Sequence, residues 1–247
     1  MEKGMFDSSS IKQFISCQRK YYWRYVKNLR LKEKEPAPLN FGTAIHEALR
    51  IWYEEHNMDK AIEIFHEIWD ERFKDKKRTH EKGEKILRQY AETYPTEPFT
   101  WVSDPEEVFE IDLFGNRFVG RFDGVIDFQG DVYVIDHKTA SRMGSSYFTR
   151  YRPDLQMTAY TWAARQLYPD KDVKGVLLNI LYFTTRKIEF HRNITERQQF
   201  EIDEFLSLAL NAMENIKARD RDDYKDWLPN WDHCVRWGTC QFRDLCT

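Results

Sequence analysis

The chain has 247 residues, of which 32% are charged and 41% apolar, with a formal net charge of −3. That length allows one sizeable core, or a core with an appended subdomain, and no apolar run approaches the ~20 residues of a bilayer crossing, so no membrane span is expected. The slightly acidic balance gives no general attraction to polyanions, so any nucleic-acid site has to be a local basic patch or one helped by bound cations. The start, Met1-Glu2-Lys3-Gly4, has no basic stretch followed by an apolar one. A cytoplasmic setting is therefore expected, where four cysteines favour ligation or burial over disulfides.

Ser8-Ser9-Ser10 precede apolar residues at Ile11, Phe14, Ile15, Tyr21, Tyr22 and Tyr25, which predicts a capped amphipathic helix over about residues 9–28, broken between Glu33 and Pro38. A second helix is expected over about 41–56, and two more polar ones over 59–75 and 80–94, stopped by Pro95 and Pro98. At Glu107 the period changes to two: Val108 to Leu113 alternates up to Gly115, and Arg117 to Phe122 resumes, a β-hairpin signal. Gly124 to Phe128 extends that second strand or bulges from it. Gln129-Gly130 is a turn, and Val132 to Ile135 is too apolar for an exposed face, so these strands are expected at the centre of one sheet. A helix over about 153–167, a strand over 175–183, a short partner over 187–191 and a helix from 195 to about 219 follow. The order is β-β-β-α-β-β-α after a helical prelude, an α/β chain. The last twenty residues, rich in Trp and Cys, lack periodicity and need something else to fix them.

Asp136 and Lys138 lie two apart at the end of the apolar third strand, so alternation puts both on one face and His137 on the other. A carboxylate there can hold a hard cation such as Mg²⁺ or Mn²⁺, and the adjacent ammonium can orient water or offset charge on a phosphate. The plain alternative is an ion pair at a strand end. Asp123 lies just upstream, before Gly124, where a bend could bring a second carboxylate alongside, although an aspartate before glycine also caps turns. His46, among the small and apolar residues Phe41 to Leu49, is either a packed core residue or a metal ligand aimed at Asp123 and Asp136. Gln156 and Tyr160 are four apart on one predicted helix face and could offer an amide and a phenol to a DNA strand or a ligand shell. Arg19, Lys20, Arg24 and Lys27 could form the basic patch that overall composition does not supply.

Taken in order, Cys17 with Tyr21-Tyr22, Gly42-Thr43 with His46, Gly120 to Gly124, Ile135 to Thr139, and Gln156 with Tyr160 resemble the RecB-like branch of the PD-(D/E)xK nuclease superfamily, which includes CRISPR-associated and phage nucleases. The resemblance implies a restriction-endonuclease-like fold, a central mixed sheet flanked by helices. It also implies that His46, Asp123 and Asp136, with the backbone carbonyl of His137, bind the catalytic metal, that Lys138 assists catalysis, and that Gln156 and Tyr160 belong to the site. Asp136 stands where many superfamily members carry glutamate.

Cys234, Cys240 and Cys246 recur with five residues between each successive pair, while Cys17 lies on the first predicted helix. Four thiolates can hold zinc or an iron–sulfur cluster, and the missing close Cys-x2-4-Cys pairs mildly favour the cluster; four buried free thiols are the remaining alternative. The resemblance strengthens a 4Fe-4S cluster, since many RecB-like nucleases use one cysteine before the core and three after it. The expected organisation is one nuclease unit, 1–247, with a helical region over 1–100, a nuclease core over 101–220 and a cluster-binding tail over 221–247 stapled to Cys17.

The function this implies is an Mg²⁺- or Mn²⁺-dependent deoxyribonuclease, an exonuclease on single-stranded DNA or DNA ends. Its setting would be recombination, phage DNA metabolism or CRISPR spacer acquisition, with a helicase, recombination or CRISPR integration partner. The alternatives are a noncatalytic iron–sulfur subunit that binds DNA or senses redox state, and a zinc-stabilised interaction module.

Overall fold

The computed structural model describes residues 4–30, 37–235 and 238–246. These pack as two compact units, one of Met1–Glu33, Phe109–Gly120 and Gln199–Thr247, the other of Lys34–Val108 and Arg121–Gln198.

In the first unit, α1 (Ser8–Ser16) starts at a capping box made by Asp7 rather than by the serine run: Ser10 N donates to Asp7 Oδ1 at 2.6 Å and Asp7 N donates to Ser10 Oγ at 3.0 Å. The helix predicted over 9–28 is not continuous. Cys17 is extended (φ −166°, ψ 108°), and the chain restarts as the short α2 (Gln18–Tyr21) and a π-turn over Tyr22–Val26. Arg19 does not join a basic patch. It is buried, its Nε donates to the Trp227 carbonyl at 2.8 Å, and its guanidinium lies 4.8 Å from the centre of the Tyr224 ring.

The predicted hairpin forms as β3 (Val108–Leu113) and β4 (Asn116–Arg121), joined through Phe114 and Gly115, both left-handed (φ 55° and 72°), as a two-residue turn between twisted strands requires. It is not at the centre of the main sheet. With β1 (Met5–Phe6), which pairs in parallel with β4, it makes a separate three-stranded sheet in the order β1-β4-β3. Alternation reports which face of a strand is apolar, not which strand lies beside it. Phe118 packs on Phe109 and on Phe205 of α7 (Gln199–Ala218).

The C-terminal segment is fixed by aromatic packing. Trp227 is fully buried, stacked on Tyr21 at 5.6 Å, edge-on to Phe14, and donates from Nε1 to the Asp220 carbonyl at 2.6 Å. Hydrogen bonds from Arg19 N to Leu228 O and from Asn230 Nδ2 to Ser16 O extend the attachment.

The second unit carries a five-stranded sheet in the order β2-β5-β6-β7-β8, formed by Thr100–Trp101, Gly124–Phe128, Asp131–Ala140, Val173–Phe183 and Ile188–Glu196. Only β6 and β7 run parallel, so the sheet is mixed, and α6 (Leu155–Leu167) provides the crossover that parallel pairing needs. Helices α3 (Ala37–Glu55), α4 (Met58–Ile68) and α5 (His80–Thr93) pack through Phe41, Ile45, Leu49, Phe65 and Leu87 onto Leu181 and Phe183 of β7. Pro38 lies in the first turn of α3, where its missing N–H leaves no helical bond unmade, so this helix starts four residues before the periodicity indicates. Gly83 lets α5 close on α4, because a Cβ there would stand 2.0 Å from the Phe65 ring. No helix among the described residues is long and apolar enough to cross a membrane.

Because Trp227 joins three aromatic rings of the N-terminal helical segment, Phe14, Tyr21 and Tyr22, to the tail, Trp227→Ala is expected to cost about 3–5 kcal/mol of stability. Urea unfolding followed by circular dichroism measures this, and an unchanged midpoint would show that the tail is held elsewhere.

Candidate active site

The sheet register creates the site. The β5–β6 ladder runs from the Phe128/Asp131 pair to the Gly124/Ile135 pair and stops, while β6 continues to Ala140 against β7 alone. The next residue on the β5 side is Asp123. Its Oδ2 accepts the His137 N–H at 2.6 Å, taking the place of a strand carbonyl. Gly124 has no left-handed backbone; it is needed for space, since a Cβ there would stand 2.2 Å from the Trp101 ring.

The other oxygen of Asp123 faces α3, where His46 Nδ1 lies 3.3 Å from Oδ1. Glu106, in the turn before β3, completes the group, with Oε1 4.0 Å from His46 Nδ1. One ligand atom from each of His46, Glu106 and Asp123 falls within 4.8 Å of the others, an arrangement able to hold a metal ion. Asp136 is not in that trio; it faces the α6 side. Lys138 Nζ donates to Asp136 Oδ1 at 2.8 Å and to Gln156 Oε1 at 3.4 Å, and Gln156 Nε2 donates to Tyr160 Oη at 3.0 Å. Lys138 Nζ also lies 2.8 Å from Asp136 Oδ2, so the ammonium faces both oxygens of this buried carboxylate.

Burial and neighbouring charge set the protonation states. Burial raises the Asp136 carboxyl to about 6 against the pull of Lys138, with the nearby Asp123 charge adding to the rise. Burial also acts on Asp123, but His46 outweighs it and holds this carboxyl well below the usual range; His46 is raised in return despite its own burial. Burial opposes the charge on Lys138, yet Asp136 and Asp123 keep it an ammonium above its ordinary range. The His137 ring lies on the opposite face of β6, where burial lowers it to about 3, so it is neutral.

A family model described as the PD-(D/E)XK nuclease superfamily matches residues 8–247. The chain belongs to that superfamily. A solved structure named "Putative exonuclease", from Eubacterium rectale, is similar in fold, with a TM-score of 0.53 and 15% identity over 87% of this chain and 82% of that one. A second solved structure, SSO0001, is 14% identical over 83% of this chain and 84% of that one, with a TM-score of 0.34. No curated protein matches the chain.

In this PD-(D/E)XK chain His46, Asp123, Asp136, Lys138, Gln156 and Tyr160 all lie in the second unit, brought together as two strings, one through Asp123 and one through Lys138. Glu106 was missed. It sits in an irregular turn with a left-handed backbone (φ 59°), so no periodicity marks it. Arg121 Nε, 2.6 Å from Glu106 Oε2, and Glu47, 3.3 Å from Arg121, tie it to α3.

The four cysteines lie in the first unit and are all half-buried. Cys17 Sγ accepts the Asn230 N–H at 3.4 Å, and Cys240 N donates to the Cys234 carbonyl at 2.8 Å. No three of their sulfurs lie within 4.8 Å of one another. They are near enough to interact, however: burial and then the proximity of Cys240 and Cys17 push up the Cys234 thiol.

Burial, with the charge of Asp123 beside it, raises Glu106 from 4.5 to about 7 in the metal-free protein. Between those two values the folded chain keeps a proton that the unfolded chain has released, so this contribution to stability falls as pH rises through the window and is constant above it. In chelator, the melting temperature of Glu106→Gln relative to the native chain is therefore expected to climb from about pH 4.5 to 7 and then level off. A difference independent of pH would remove the perturbed carboxyl.

Proposed function

We propose that the chain is an Mg²⁺- or Mn²⁺-dependent deoxyribonuclease that hydrolyses phosphodiester bonds in single-stranded DNA or at DNA ends. The observation that carries this reading is the pinned Asp123 carboxylate, with His46 and Glu106 on one side and the Asp136–Lys138–Gln156 string on the other. His46, Asp123 and Asp136, with the His137 carbonyl, are assigned as metal ligands. The donor set fits a hard divalent cation, with the His46 imidazole and a carboxylate oxygen each of Glu106 and Asp123 within 4.8 Å of one another. The bound cation would polarise the phosphate and lower the pKa of water.

The remaining chemistry belongs to the chain. Lys138 remains protonated, so it acts as a fixed positive charge toward the phosphate and as a donor, not as a base. Gln156 is oriented by two bonds, its oxygen to Lys138 and its amide to Tyr160, and so keeps the ammonium from folding back onto Asp136 alone. The Tyr160 phenol, raised to about 12 by burial, remains protonated and can donate to a strand entering over α6.

Cys17, Cys234, Cys240 and Cys246 are assigned to a 4Fe-4S cluster in the first unit. Each thiolate of a cubane binds a different iron, so the four sulfurs stand further apart than around a single ion, in keeping with thiols that interact without crowding. The cluster would supply a cross-link rather than catalysis. This reading places the protein in the cytoplasm, in recombination, phage DNA metabolism or CRISPR spacer acquisition, beside a helicase or integration partner.

Labelled single- and double-stranded DNA incubated with the chain and Mn²⁺ or Mg²⁺ tests the activity. Asp123→Ala, Asp136→Ala and Lys138→Ala are each expected to lose cleavage by about 10³-fold or more while remaining folded, and EDTA is expected to abolish it. Undiminished turnover by any variant would remove that residue from the site. Anaerobically prepared protein is expected to hold about four iron and four sulfide per chain, lost in Cys17→Ala. Zinc without sulfide would overturn the cluster.

A further inference from the structure

Across β6, β7 and β8 one row of the sheet is polar between apolar neighbours. The register sets His137 opposite Asn179 and Asn179 opposite Arg192, on the face shared by Ile135, Leu177, Leu181 and Phe190. Asn179 is fully buried and His137 nearly so. Polar groups in such a place are costly unless each is bonded, and here the bonds can be traced donor by donor.

Arginine only donates, so the bond from Arg192 Nε at 3.2 Å fixes the amide oxygen of Asn179 toward β8. The amide nitrogen then faces Tyr90 Oη and His137 Nδ1, each at 2.8 Å. That nitrogen cannot accept, so His137 Nδ1 is the acceptor and the ring carries its proton on Nε2. Arg192 also donates to Tyr90 Oη at 3.1 Å and pairs with Glu97 at 2.7 Å, while Tyr53 Oη donates to Glu97 at 3.0 Å. The Tyr53 ring lies parallel to that of His137, 14° off and 5.7 Å away. The imidazole is held by one directional bond and one stacked face, and it is the side chain of the residue whose N–H pins Asp123.

We infer that Asn179, oriented by Arg192, is a positioning residue for metal binding: it fixes the His137 ring and thereby the backbone between Asp136 and Lys138 that presents its N–H to Asp123. This rests on the metal-dependent reading above. Packing alone does not call for such a row, since apolar residues of similar volume fill a core as well or better than a buried charged pair. What the row adds is a fixed rotation of the imidazole about its own strand.

The test is calorimetric titration of Mn²⁺ into the full-length chain without DNA. Asn179→Leu is expected to weaken Mn²⁺ binding about 10- to 100-fold, the range typical of groups that hold a ligand from behind. Arg192→Lys, which keeps the charge beside Glu97 but cannot serve Asn179 and Tyr90 together, is expected to weaken it in the same direction and stands in if the leucine variant does not fold. Tyr168→Phe, which removes a bond to Glu107 away from the row, is expected to leave Mn²⁺ binding unchanged. Native affinity in both row variants, or an equal loss in Tyr168→Phe, would overturn the inference while leaving the metal reading intact. A native chain that binds no Mn²⁺ would overturn both.

Discussion

A strand ladder that ends must give its next N–H another acceptor or leave it buried and unpaired. In this chain the β5–β6 ladder ends at Gly124 and Ile135, and the His137 N–H passes to the side chain of Asp123. That one bond sets the rest of the site. It uses Oδ2 and turns Oδ1 toward His46, so the carboxylate is fixed in rotation before any ligand arrives, and a group already fixed loses little conformational freedom on binding. Helix α3 must then approach closely enough to bring His46 within reach, and the packing of Phe41, Ile45 and Leu49 against β7 sets that approach.

The charges around this fixed point are arranged in alternation. His46 lies between Asp123 and Glu106, Arg121 between Glu106 and Glu47, and Lys138 against Asp136, with the neutral Gln156 amide oxygen on its other side. Even so, burial holds Asp136 at about 6 and Glu106 at about 7, so the protein's own cations do not fully pay for these carboxylates. On the metal-dependent reading proposed above, a divalent cation would supply the missing charge, and its binding would be accompanied by proton release from such groups. Solvent-exposed carboxylates of the same number would be ionised already and would gain less.

The parts of this site that sequence makes legible are those set by local geometry. Two-residue alternation puts Asp136 and Lys138 on one face with His137 opposite, and four-residue spacing puts Gln156 beside Tyr160; the structure has both arrangements. His46 was assigned by resemblance, because a histidine among small apolar residues reads equally as core. Glu106 and the Asn179–Arg192 row have no local signature: one sits in an irregular turn, and the other joins residues up to 102 positions apart, as between Tyr90 and Arg192. The hairpin over β3 and β4 was visible as a hairpin, but its sheet was not, since pairing with β1 depends on a contact from the far N-terminus. The first helix was drawn too long because nothing in Ser16-Cys17-Gln18 is a strong helix breaker, yet Cys17 is extended.

If the proposed cluster forms, that extended cysteine and the buried Trp227 would divide the work of fixing the tail. Packing of Trp227 on Tyr21 and Phe14, with the Arg19 bonds to residues 227 and 228, orders the chain up to that point without any cofactor. Beyond it, Trp231, Val235 and Leu245 are exposed and the short helical turns at Trp231–Cys234 and Arg243–Leu245 bury little. A thiolate-bound cluster would therefore add its stabilisation to the last dozen residues, and only weakly to the Trp227 anchor. On the proposed cluster the two attachments would be separable: losing the aromatic anchor would loosen the first unit as a whole, whereas losing a cysteine ligand would free only the segment in which the other three cysteines lie.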